Sequence, residues 1–250
     1  MLPFQASRGG IQLQTSEKTC TFRSEEFDKQ KDTKKPLGIQ RFITIIILGY
    51  VCLSGSFSDV MAENKTDARP DHSISLLPVD EIDDEVLEML RNRLTETFGC
   101  DVKIRDGLNI PPDAYSPQRK QYLSSLILDE LHKHILPSKE GKFLAITGVD
   151  LYVPQLNFVF GEAEIRGQFA IISLARLHQS FYGLPEDRGL FQERAVKEAV
   201  HELGHTFGLR HCPDPECVMH FSNSLLDTDR KKAIFCSRCQ KLLEEETGFE

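Results

Sequence analysis

Residues 201–220 read HELGHTFGLRHCPDPECVMH. His201 and His205 stand four apart. On a helix that spacing puts both imidazoles on one face, one turn apart, where they can share a single ion. Upstream, Leu190, Ala195, Val196, Ala199, Val200 and Leu203 form an apolar stripe. The spacing predicts a helix that begins near Glu186–Asp187 and ends at Gly208. Gly208 can break that helix and turn the chain back, so that His211 arrives as a third neutral nitrogen. Three protein ligands leave the fourth corner of a tetrahedral ion to water, the arrangement of a catalytic zinc site. Glu202 projects about a quarter turn from His201, beside the open corner, where a carboxylate can act as general base. Two histidines at i, i+4 are common on helix surfaces. The full H-E-x-x-H-x-x-G-x-x-H is far more demanding.

The cysteines divide into two groups. Cys20, Cys52 and Cys100 are isolated, while Cys212, Cys217, Cys236 and Cys239 cluster as C-x4-C and C-x2-C near the C-terminus. Four thiolates make a closed tetrahedral site, and closed sites are structural. Zinc suits this set in a reducing compartment. Iron in the same four-thiolate cage and two disulfides are the competing readings. Cys212 directly follows His211, so an ion in the cysteine site would pin the loop that presents His211 and Met219. It would also tie down the C-terminal helix CQKLLEEE (239–246).

Around these motifs the chain alternates strand and helix. SISLLPV (73–79) has the β-branched and apolar content of a strand. In DEIDDEVLEMLRNRLTETFG (80–99), Val86, Leu87, Leu90, Leu94 and Phe98 recur at helical spacing. Acids load its first turn and Gly99 stops it. CDVKI (100–104) reads as a strand. SPQRKQYLSSLILDELHKHIL (116–136) reads as an amphipathic helix stopped by Pro137. KFLAITGVDLYV (142–153), NFVFGEAEI (157–165) and GQFAIISLARL (167–177) read as strands, the second at a sheet edge and near the upper rim of a cleft. This order predicts an α/β fold, a mixed twisted sheet with packed helices and a small C-terminal subdomain stapled by metal.

The remaining features bound the setting. The 250 residues are 40% hydrophobic with a formal net charge of −8, enough for a core and without the basic stripe that nucleic acid demands. Residues 1–60 read differently from the rest. FITIIILGYVCL (42–53) follows Lys34, Lys35 and Arg41 and is too short for a comfortable membrane span, which needs about 20 residues. It resembles the apolar part of a signal peptide lying far from the N-terminus. Met61 offers an alternative start. Residues 1–60 are therefore expected to be an extension outside the working protein, with a weak anchor or a disordered tail as the other readings. Residues 61–250 are expected to be one domain, monomeric and cytoplasmic.

At this point the sequence resembles a metzincin metalloprotease, and HCPDPECVMH together with FCSRC narrows the resemblance to the archaemetzincins. The likeness runs from about Ser73 to the C-terminal helix. It takes in VDLYVP (149–154), LNFVFG (156–161) and VMHFSNSLLDTDRK (218–231) and excludes residues 1–60. The resemblance implies two zinc ions per chain, one catalytic and one structural, and peptidase activity on peptide or protein substrates. It also implies a role for Met219 as an apolar floor beneath the histidines, where an ordinary core methionine is the plain alternative. A zinc-stabilised protein that binds peptides without cutting them is the second functional reading. Glu202 argues against it, because a binder needs no base. His220, Tyr152, Tyr182, Asn223, Asp227 and Asp229 receive no role, and packing or turn chemistry is expected of them. His132, His134 and His178 read as surface or loop residues without ligand spacing.

Overall fold

The computed structural model describes residues 73–135 and 141–248. The expected boundary after residue 60 and the apolar run 42–53 lie outside the described residues. Among those described, no helix is long and apolar enough to cross a membrane.

Five strands form the main sheet: β1 (Ser73–Val79), β2 (Val102–Ile104), β5 (Gly141–Thr147), β7 (Gly161–Ala163) and β8 (Phe169–Ser173), in the order β2-β1-β5-β8-β7. All neighbours are parallel except β7, which runs antiparallel along β8 at the edge. A smaller sheet, β3-β4-β6, joins β3 (Tyr115–Ser116), β4 (Gln121–Leu123) and β6 (Leu151–Tyr152).

The side-chain alternation of strands decides which helix covers which face. Ile74 and Leu76, Leu144 and Ile146, and Ala170 and Ile172 join one core cluster with helices α1 (Asp84–Phe98) and α3 (Arg188–Thr206). Leu77 and Val79, Phe143 and Ala145, and Phe169 and Ile171 face the other way, into a second cluster with α2 (Ser124–His134). The sheet is therefore buried on both faces, which explains why its central strands are nearly continuous hydrophobic runs. Phe169 stacks on Phe143 at 5.2 Å between ring centroids within the second cluster.

Local chemistry sets the helix ends. Asp83 caps α1 by accepting the Glu85 N–H at 2.9 Å, and Gly99 closes it in the left-handed region at φ +63°. Asp187 caps α3 by accepting the Leu190 N–H at 3.0 Å. Two shorter helices follow: α4 (Leu225–Arg230), capped by Ser224, and α5 (Ser237–Thr247).

Two local expectations are corrected. The helix expected from Ser116 begins at Ser124. Before it the chain makes a hairpin of β3 and β4 around a turn in which Lys120 donates its N–H to Ser116 O at 2.8 Å with φ +56°. Pro117 lies inside that turn, between Ser116 and Lys120. The polar run 223–229 is not a bare loop: α4 occupies it, because Ser224 and Asp227 satisfy each other and the first helical N–H groups.

Candidate metal centres and catalytic cleft

Helix α3 is buried along most of its length because it packs on the sheet with one face and under the C-terminal loops with the other. His201, Glu202 and His205 lie in its last turns, all buried. The chain then reverses at Gly208, which sits at φ +93° and lets its N–H reach His205 O at 2.8 Å while the Leu209 N–H reaches Gly204 O at 3.0 Å. Any side chain at Gly208 would be strained there. His211 returns over α3, and the ligand nitrogens of His201, His205 and His211 come within 4.8 Å of one another.

Two carbonyls hold the rings. His201 Nδ1 lies 2.7 Å from Val218 O, and His205 Nδ1 lies 2.8 Å from Leu209 O. A carbonyl only accepts, so each Nδ1 carries the proton and each Nε2 presents a lone pair. The two Nε2 atoms stand 3.2 Å apart. Two nitrogens at zinc-ligand distance on a tetrahedral ion stand about 3.3 Å apart, so the spacing fits. Electrostatics agree. Burial pushes all three imidazoles below the usual histidine range, with the Lys231 ammonium adding to it, and neighbouring rings add to it at His201 and at His211, which falls to about 4. Neutral imidazoles are donors to a metal at physiological pH.

Glu202 stands beside the histidines against the backbone of edge strand β7. A Cβ on Gly161 would lie 2.6 Å from Glu202 Cγ and 2.7 Å from its Oε1. Burial pushes the Glu202 carboxyl well above the usual carboxylate range. Glu198 and Glu162 push the same way, and Lys231 opposes them.

Met219 is fully buried, and its sulfur packs where a Cβ on Gly204 would stand, 2.5 Å away. Its carbonyl accepts the Cys212 N–H at 2.9 Å. The turn that carries Met219 therefore also supplies the carbonyl that orients His201 and the one that anchors the cysteine next to His211.

The four C-terminal cysteines converge as well. Their sulfurs lie within 4.8 Å of one another, and all four are free thiols. Cys212 and Cys236 Sγ are 3.8 Å apart. That exceeds a disulfide bond, about 2.05 Å, and matches two thiolates on one tetrahedral zinc, about 3.8 Å. The backbone N–H of Cys239 at the start of α5 draws the Cys236 thiol down to about 7.

A second polar layer lies under the site and was not legible as such in the sequence. Arg194, about two turns before His201, makes a two-pronged pair with Asp229, 2.7 Å at each prong, and donates to Leu177 O at 3.0 Å. Lys231 is wholly buried with its ammonium 3.0 Å from Glu198 Oε1, which also accepts the Thr228 hydroxyl at 3.1 Å. Asp229, one of the residues left without a role, thus locks α4 onto α3. Tyr152 lies under Arg119, and Tyr182 T-stacks on Phe181. His132, His134 and His178 pair with Glu164, Glu130 and Glu186, as surface residues do.

With this geometry in view, comparison with known proteins adds four findings. The family model described as Peptidase family M54 matches residues 81–245. The chain is 45% identical over 172 residues to the archaemetzincin of Methanocaldococcus jannaschii, covering 69% of this chain and 93% of the relative. The crystal structure of the archaemetzincin from Methanopyrus kandleri is similar with a TM-score of 0.63 at 40% identity, covering 71% of this chain and 96% of that one. A zinc-dependent peptidase from Methanocorpusculum labreanum is similar with a TM-score of 0.61 at 31% identity, covering 68% and 99%.

Proposed function

Since this chain belongs to peptidase family M54, the archaemetzincins, and is a zinc-dependent peptidase, we propose that His201, His205 and His211 hold its catalytic zinc and that Glu202 is its general base. Zinc at such a site supplies a Lewis acid that brings the pKa of water to about 7 and polarises a peptide carbonyl. The chain's own residues do the rest. Val218 O and Leu209 O keep the lone pairs of His201 and His205 aimed at one point. Glu202 takes the proton from the attacking water and returns it to the leaving amine. Burial raises the affinity of that carboxyl for a proton, which favours its taking one up from the water. The wall of β7 at Gly161 keeps that carboxylate beside the cleft.

The single observation that carries this reading is the 3.2 Å approach of two oriented imidazole lone pairs with a buried carboxylate one residue away. A second zinc, held by Cys212, Cys217, Cys236 and Cys239, is structural in this reading. The cage has four thiolates and no corner left for water. The substrate is a peptide or protein. Glu202→Gln tests the assignment. Turnover of a peptide library is expected to vanish while two zinc ions per chain and the melting temperature stay at wild-type values. Turnover that persists would remove Glu202 from the mechanism.

A further inference from the structure

His220 follows the turn methionine and is used by neither metal set. Its backbone N–H donates to Cys217 O at 2.9 Å, and its ring Nδ1 lies 3.0 Å from Cys212 O. Cys212 in turn donates its N–H to Met219 O. The ring is thus strapped across the two arms of the loop that presents His211. Because Cys212 O can only accept, Nδ1 carries the proton, and the neutral ring keeps a lone pair at Nε2. That nitrogen has no protein partner among the described residues, and it is not sealed from solvent.

The neighbourhood is the open end of the site. His211 is the exposed member of the three histidines. Phe221 stands exposed against it with ring centroids 4.8 Å apart, and the His220 ring meets the backbone carbonyl of Cys212, the residue that follows His211. A fixed acceptor therefore sits beside an exposed ligand and an exposed aromatic ring. Peptide substrates carry a matching donor at every residue, the backbone N–H.

We propose that His220 is a substrate-binding residue whose Nε2 accepts a hydrogen bond from a backbone N–H of the peptide as it lies beside His211. The inference rests on the reading of His211 as a ligand at the open end of the site. It assigns the anchoring role to Nδ1 and the recognition role to Nε2, and side-chain amides separate the two. Asn places a donor where Nδ1 was and nothing where Nε2 was. Gln reaches the outer position with an acceptor oxygen.

The experiment measures Kd for a peptide that the wild type cuts, on the zinc-loaded Glu202→Gln background, beside analogues in which each backbone N–H in turn is replaced by an ester oxygen. One ester position is expected to weaken binding about tenfold, the size of one hydrogen bond. His220→Asn is expected to weaken the parent peptide by a similar factor and to become indifferent to that ester, while His220→Gln recovers part of the loss. Zinc content is expected to remain at the parent value in both. Wild-type affinity in His220→Asn, or an ester penalty equal with and without His220, overturns the inference. So does a scan of the His220-containing protein in which no ester weakens binding, which needs no folded His220 variant. Turnover by the Glu202→Gln background would sink the base assignment instead and leave the His220 comparison readable as KM.

Discussion

The Met219 sulfur rests against the backbone of Gly204, where a Cβ would stand 2.5 Å from Sδ and 3.1 Å from Cε. The floor of the histidine site is therefore a contact between a helix with no side chain at that point and a loop with a long one. Gly204→Ala is expected to destabilise the protein by about 1–3 kcal/mol through overpacking. Displacing Met219 also shifts Val218 O, which orients His201, so zinc affinity of the histidine site should fall with it. Met219→Leu, a volume-conserving swap, should cost less than about 1.5 kcal/mol. Denaturant unfolding and zinc titration read both. Equal, small effects in the two variants would dismiss the packed floor.

Gly161 predicts a different pattern. An added methyl there meets Glu202 Cγ at 2.6 Å and the backbone carbonyl of Ile171 at 2.7 Å, so either the carboxylate or the edge strand must move. Displacing a catalytic group by an ångström costs about 100-fold. Gly161→Ala is expected to lower kcat by that order while the histidine site keeps its zinc, because the atoms nearest the added methyl belong to Glu202 and Ile171 and not to the three histidines. Steady-state kinetics with metal analysis decides it. Loss of zinc in step with activity would point to general collapse of the site.

The buried pair Lys231–Glu198 makes a prediction about stability rather than chemistry. Neither charge reaches solvent, and the Thr228 hydroxyl donates to the same carboxylate. Lys231→Met strands Glu198 and is expected to cost about 3–5 kcal/mol. Pairing it with Glu198→Gln removes the stranded charge and should recover a large part. The double-mutant cycle gives the coupling. Additive losses would mean that the two groups do not act as a pair.

The chain shows how far such a site is readable before any coordinates. Helix α1 declares itself through apolar spacing, an acidic first turn and a closing glycine, α3 through apolar spacing, the Asp187 cap and Gly208, and the three histidines and four cysteines through spacing alone. What escapes is tertiary. Nothing near Gly161 marks it as the partner of a residue 41 positions on, and nothing near Gly204 marks its contact with Met219. Lys231 reads as a surface charge, since lysine seldom is fully buried, and only the fold supplies Glu198. Residues 116–123 read as the start of a helix because their turn rests on Lys120 at positive φ, a conformation that lysine does not advertise.

Metal removal joins the two centres. The histidine site opens at His211, whereas Cys212, Cys217 and Cys239 are buried. A chelator is expected to strip the histidine site first, with activity and little loss of structure. The cysteine site should yield later and bring a drop in stability, because a metal held there would tie α5 to the loop of Met219. Acid should mimic the first step. The imidazoles are held below their unfolded value of about 6.5, His211 at about 4. Groups depressed in the folded state contribute stability that is present above pH 6.5 and is lost as pH falls through their folded values. Protein freed of the first zinc should therefore lose stability between about pH 6.5 and 4, while zinc-loaded protein resists further into acid because protons and metal compete for the same lone pairs. Chelation followed by zinc-release and unfolding assays across that range tests the order. Simultaneous loss of both ions in one cooperative step would refute the division of labour between them.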